Sequence, residues 1–182
     1  MSSIPQVKKT ALYDLHIASG GKMIEFSEYQ MPMHYSEGIK NEHLHTRSSA
    51  GLFDVSHMGQ ILVSGIDCIN DLERLIPVDF YHLGINQMCY GLLTTEDGCI
   101  LDDLMITRFG KNEFSLVVNA SQKKSDYEYL NKNLPNSDVK ILLEHSLLAL
   151  QGPLAENVLS RYINVSSAVS YTHLTLPTTS PV

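Results

Sequence analysis

Two adjacent carboxylates, Asp102 and Asp103, sit in the middle of the apolar run Gly98–Arg108. Ile, Leu and Thr recur there without a helix signal, so the run reads as a strand. Side chains alternate faces along a strand, and only Asp103 shares a face with Leu101, Met105 and Phe109. Asp is depleted in strand interiors, so a carboxylate on an apolar face needs a reason. A few polar groups converging on an apolar wall is how small-molecule sites are built. The same pattern also fits a satisfied polar cluster under a loop.

The flanking elements decide which polar groups converge. Asp97-Gly98 is a hairpin signal after the strand Met88–Thr94. A two-residue loop there puts Tyr90 opposite Met105, diagonal to Asp103. Gly110-Lys111-Asn112 reads as a three-residue loop, which sets Asp103 opposite Asn119 and Met105 opposite Val117. The meander 88–119 then presents a phenol, a carboxylate and an amide on one apolar face. A slip by one residue would substitute Asp102 for Asp103.

Composition narrows the function classes. The chain has 182 residues, 43% hydrophobic and 18% charged, enough for a real core. A net charge of −7 without a Lys/Arg cluster argues against a nucleic-acid partner. Cys68, Cys89 and Cys99 show no C-x-x-C spacing, so a reducing compartment is expected and structural zinc is not. No apolar run reaches membrane-spanning length and no signal-peptide core is visible, which makes the cytoplasm the default.

Along the chain, Thr10 is placed to cap a helix over 11–18 that Gly20-Gly21 ends. A strand follows at 23–26, then an aromatic, Met-rich loop, Tyr29–Tyr35, broken by Pro32. Ser36 begins a helix through Ser49, with Gly51 as its stop. His43 and His45 on that helix point apart, one expected to be packed and one solvated, and nothing resembles H-E-x-x-H. Asp54, Ser56 and His57 invite a catalytic-triad reading, but no strained nucleophile turn surrounds Ser56, and Asp54 capping backbone N–H groups is preferred. Further elements are a strand at 60–64, a helix ending at Leu75, a helix from Ser121 to Asn133 with Tyr127, Leu130 and Leu134 as its stripe, and strands at 139–143 and 147–150. Pro153 opens a last helix. Hairpins mixed with helices argue for an α+β fold. Residues 1–165 read as one region, and 166–182, rich in Ser, Thr and Pro, as a disordered or non-native tail.

The run Met31-Pro32, Tyr35, Gly38-Ile39, Glu42-His43, Arg47 and Gly51 to Gly59 resembles the N-terminal half of the aminomethyltransferases, the T-proteins of the glycine cleavage system. Tyr90, Gly98, Asp102-Asp103-Leu104, Val117 to Ala120 and Leu150 to Pro153 continue the resemblance in order. It implies folate-binding domains of antiparallel sheets flanked by helices, truncated before a small C-terminal barrel. It implies transfer of an aminomethyl carbon from the lipoyl arm of H-protein to tetrahydrofolate, with release of ammonia and no metal. Asp103 matches the essential carboxylate, and Met58, Tyr90, Met105, Val117 and Asn119 match positions lining the pterin pocket. A buried carboxylate of raised pKa near the folate N5/N10 edge would exchange a proton with a weakly basic amine or stabilise the carbon being passed. In the family a second half supplies the other wall of the pocket, so this chain alone is expected to be inactive. The alternative is a folate-binding accessory protein of iron–sulfur cluster maturation with the same fold; a folate domain fused to a dimethylglycine or sarcosine dehydrogenase is a third option.

Overall fold

The computed structural model describes residues 7–162; the tail assigned to 166–182 lies outside the described residues. The fold is α+β and forms two compact units, one running to His57 and resuming at Glu144, the other Met58–Leu143.

The second unit carries the meander. Its strands are β5 (Gly59–Ser64), β6 (Met88–Thr94), β7 (Ile100–Gly110), β8 (Glu113–Val118) and β9 (Asp138–Ile141), and its helices α3 (Cys68–Leu75) and α4 (Lys123–Asn133). The sheet order is β6-β7-β8-β5-β9, antiparallel at every step. One face is the core: Ile61, Val63, Leu93, Leu104, Ile106, Phe114, Leu116 and Val118 pack with Ile69, Leu72 and Leu75 of α3 and Leu130 of α4. Phe80 closes this core edge-on against Phe114, with ring centroids 5.2 Å apart.

Both hairpin loops differ by one residue from expectation, and in each a bulge offsets the difference. Thr95 and Gly98 close a turn, with Gly98 at φ +77, and Leu101 is skipped in the pairing with β6. At the other end Gly110 pairs with Glu113, and Phe109 is skipped. A bulge inserts one unpaired residue, so each restores the register beyond it. Tyr90 therefore does lie opposite Met105, and Met105 opposite Val117.

The first unit holds β1 (Lys8–Lys9), α1 (Tyr13–Ala18), β2 (Lys22–Phe26), β3 (Tyr29–His34), α2 (Gly38–Ser48), β4 (Gly51–Asp54), β10 (Leu148–Gln151) and α5 (Ala155–Leu159). Residues 29–34, expected as a loop, form a strand. Ser27 and Glu28, at φ +47 and +67, make the tight turn from β2. Pro32 is tolerated because β1 pairs only with Tyr29 and Gln30, so the edge of β3 is open beside it. Gly51, expected to stop α2, instead begins β4, which pairs with β10. His43 and His45 are both exposed, rather than one packed and one solvated. Gly152, at φ +110, lies where a Cβ would fall 2.5 Å from the carbonyls of Thr46 and Ser49, so the Gln151-Gly152-Pro153 turn closes directly on the end of α2.

Candidate functional site

Strand alternation divides β7 between two environments. Asp102, Leu104 and Ile106 face the helices, while Asp103 and Met105 face the other way. The expectation that Asp103 belongs to the buried face is thus corrected. Asp103 is exposed, and Asp102, at 9% exposure, is the carboxylate turned inward. That expectation rests on Leu101, Met105 and Phe109, but Leu101 and Phe109 sit at bulges and are exposed, and Met105 is only half-buried. Leu104 and Ile106 fix the inward face because the apolar stripes of α3 and α4 cover that side.

The outward face nevertheless gathers the residues singled out in the sequence. Tyr90 pairs with Met105 and Met105 with Val117. Continuing the registers by one residue sets Asp103 opposite Asn119 and Asn119 opposite Met58. The phenol of Tyr90 is pushed above its ordinary pKa by partial desolvation and then by the Asp103 carboxylate beside it. It stays a proton donor at neutral pH. Leu92, Met105 and Val117 are half-buried around these groups. The face therefore offers a phenol and an exposed carboxylate over a thioether and aliphatic floor, suited to a flat, partly polar ring system.

Asn119 links the two faces. Its side-chain nitrogen donates to Asp102 Oδ1 at 2.8 Å and to Asp103 Oδ1 at 3.0 Å, with the Asp103 carbonyl at 3.2 Å. Its backbone N–H donates to Asp102 Oδ2 at 3.2 Å. Both hydrogens of the amide are committed to the two carboxylates, which leaves its carbonyl as the acceptor for an incoming N–H. Behind Asp102 lies Asp126 of α4, 4% exposed, its pKa raised to about 7 by burial and then by Asp102. Asp126 stands one and two helical steps before Leu130 and Leu134, at i, i+4, i+8. The stripe read from Tyr127, Leu130 and Leu134 would have reached it if extended back by one turn.

The first unit contains a separate polar network. Tyr35 Oη lies 2.7 Å from His16 Nδ1, and His16 Nε2 lies 3.0 Å from Asp54 Oδ2. Burial raises the pKa of the Tyr35 phenol, as do Glu42 and Asp54. With the Nε2 hydrogen of a neutral His16 given to Asp54, Nδ1 accepts from the phenol. Burial pushes the Asp54 carboxyl upward, but hydrogen bonds from Ser56 and His16 outweigh it and hold the pKa below its ordinary value. Asp54 also accepts the Ser56 N–H, the capping role expected of it. No triad forms from Asp54, Ser56 and His57. The histidine of Asp54 is His16, Ser56 bonds the backbone of Leu147, and His57 packs against Phe26 and Tyr29. A groove of about 660 Å³ beside this network is lined by Met31, Met33, Glu42, Phe53 and others. The pairing of His16 with Tyr35 was not legible in the sequence because the two are 19 residues apart, joined only by tertiary packing. Among the described residues no group of three or more His, Cys, Asp or Glu could hold a metal, and no helix is long and apolar enough to cross a membrane.

The family profile of the GCVT N-terminal domain matches residues 12–178. The chain belongs to that family. As a GCVT N-terminal chain it is 38% identical over 162 residues to an aminomethyltransferase of Clostridium botulinum, covering 87% of this chain and 44% of that protein. It is 38% identical over 171 residues to a mitochondrial aminomethyltransferase of Dictyostelium discoideum, covering 89% and 42%. The crystal structure of the glycine cleavage system aminomethyltransferase T from Bartonella henselae superposes with a TM-score of 0.81 at 42% identity, covering 85% of this chain and 43% of that one. The chain thus spans less than half the length of these relatives.

Proposed function

We propose that this chain supplies one wall of an aminomethyltransferase site of the glycine cleavage system. The observation that carries the reading is the gathering of Tyr90, Asp103, Met105, Val117, Asn119 and Met58 on one sheet face. Membership of the GCVT N-terminal family supports it. In this reading Asp103 is the catalytic carboxylate. It takes a proton from the amine of tetrahydrofolate that attacks the aminomethyl carbon, and its charge stabilises the carbon in transit. Met58, Met105 and Val117 hold the flat pterin by dispersion, and Tyr90 and Asn119 orient it. The lipoylated arm of H-protein brings the carbon on sulfur; the carbon–sulfur bond breaks, and ammonia, methylenetetrahydrofolate and dihydrolipoyl H-protein leave.

In this reading the second wall of the site belongs to the part of the relatives that this chain, spanning 44% of one of them, does not cover. The chain is therefore expected to show no transfer by itself, and to gain it when joined to that part. The test is calorimetric titration with tetrahydrofolate, followed by the transfer assay with aminomethylated H-protein. In the joined protein, Asp103→Asn should lower transfer by orders of magnitude while circular dichroism stays unchanged. Wild-type transfer by the Asp103→Asn protein would overturn the assignment, and full turnover by the 182-residue chain would overturn the half-site reading.

A further inference from the structure

We propose that Asp126 is a positioning residue, a buried acid whose proton, shared with Asp102, sets Asn119 and through it the presentation of Asp103. This rests on the proposed role of the outward face. Two carboxyl groups, Asp102 at 9% and Asp126 at 4% exposure, adjoin each other between β7 and α4. Asp126 Oδ2 is buried without a hydrogen-bond partner among the described residues. Two carboxylates in such a place repel, and a single proton between them removes the repulsion.

With the proton on Asp126, its O–H donates to Asp102, which remains a carboxylate and accepts two hydrogens from Asn119. The other amide hydrogen of Asn119 then holds Asp103 Oδ1. When Asp126 releases its proton to solvent, no bond forms in its place. The two negative groups part, and the Asn119 bridge is pulled away from Asp103. The strands and helix packed around the pair bring few other ionisable groups. Strand β5, which α4 covers, carries none. Strand β9 carries Asp138 and Lys140, which pair with each other in the open. Lys123 precedes Asp126 by three residues on α4, and Asp103 lies on the far face. The proposal makes the outward face proton-sensitive through a residue that does not itself reach that face.

The test is NMR on the 182-residue chain, following aspartate carboxyl carbons and the Asn119 side-chain amide from pH 5 to 9. The wild type should show the Asp126 carboxyl and the Asn119 amide moving together with one midpoint near 7. Asp126→Asn keeps the shape and an N–H donor toward Asp102, so it should hold the Asn119 amide at its low-pH position throughout. Asp126→Ala should abolish the common midpoint and shift the amide at every pH. Carboxyl titration without any response of Asn119 would overturn the proposal, as would a midpoint persisting in Asp126→Asn. Tetrahydrofolate titrations at pH 6 and pH 8.5, made on the chain joined to the part of the relatives that it does not span, separate the two readings. Absent folate binding with intact NMR coupling sinks the function and leaves the positioning standing; folate binding without the coupling does the reverse.

Discussion

Asp126 should make the stability of the chain fall as pH rises through the weakly acidic range. Its carboxyl titrates near 3.8 when unfolded and at about 7 when folded. The folded state therefore binds more protons between those values, and stability is lost as pH increases, the reverse of the behaviour of an ion-paired carboxylate. At about 1.4 kcal/mol per pH unit the full effect is roughly 4 kcal/mol, with about 3 kcal/mol of it falling between pH 4.5 and 7.5. Asp126→Asn removes the titration and nearly preserves the volume. Urea unfolding of both proteins should be followed by circular dichroism, since the chain has no tryptophan. Other titrating groups cancel in the difference between the two proteins. With an m-value of about 2 kcal/mol per molar, the wild-type midpoint should fall relative to the variant by about 1.5 M urea across that interval. A difference that stays constant with pH, whatever its size, would refute the reasoning.

The remaining predictions concern packing and hydrogen bonds. The Arg108 guanidinium donates to the carbonyls of Phe80, Leu83, Gly110 and Lys111, tying the loop before β6 to the β7–β8 hairpin. Arg108→Lys should cost about 2 kcal/mol by denaturant titration, because an ammonium cannot reach acceptors spread around a planar fork. A Cβ at Gly59 would fall 2.5 Å from Lys123 Cβ and 2.6 Å from Val118 Cγ2. Gly59→Ala should thus displace the start of α4 and cost about 1–3 kcal/mol in thermal melts. His16→Phe strands the Tyr35 hydroxyl and the Asp54 carboxylate, and should cost about 3 kcal/mol, while Tyr35→Phe should cost about 1. The depressed pKa of Asp54 gives stability that is present above the ordinary carboxylate range and lost as pH falls below it, and Asp54→Asn should abolish that acid-limb loss in pH-dependent melts.

Local sequence determined the β6–β7–β8 meander and its register. Turn residues and strand alternation act between near neighbours, and they placed Tyr90 against Met105 and Met105 against Val117. Even the miscounted loops left the register intact, because the bulges at Leu101 and Phe109 lie within the same hairpins. The sequence also determined that the two carboxylates must face opposite ways. It could not say which face is core, since apolar residues flank Asp102 and Asp103 alike on both. That was settled by α3 and α4, whose apolar stripes come from distant segments and cover the Leu104 and Ile106 side. The same distance hid the partnership of Asp102 with Asp126 and of His16 with Tyr35 and Asp54. Spacing along a chain constrains residues a turn or a hairpin apart. Burial and the pairing of carboxyls or rings from remote elements arise only when those elements pack, which is why the outward face was legible in the residues and its proton-bearing support was not.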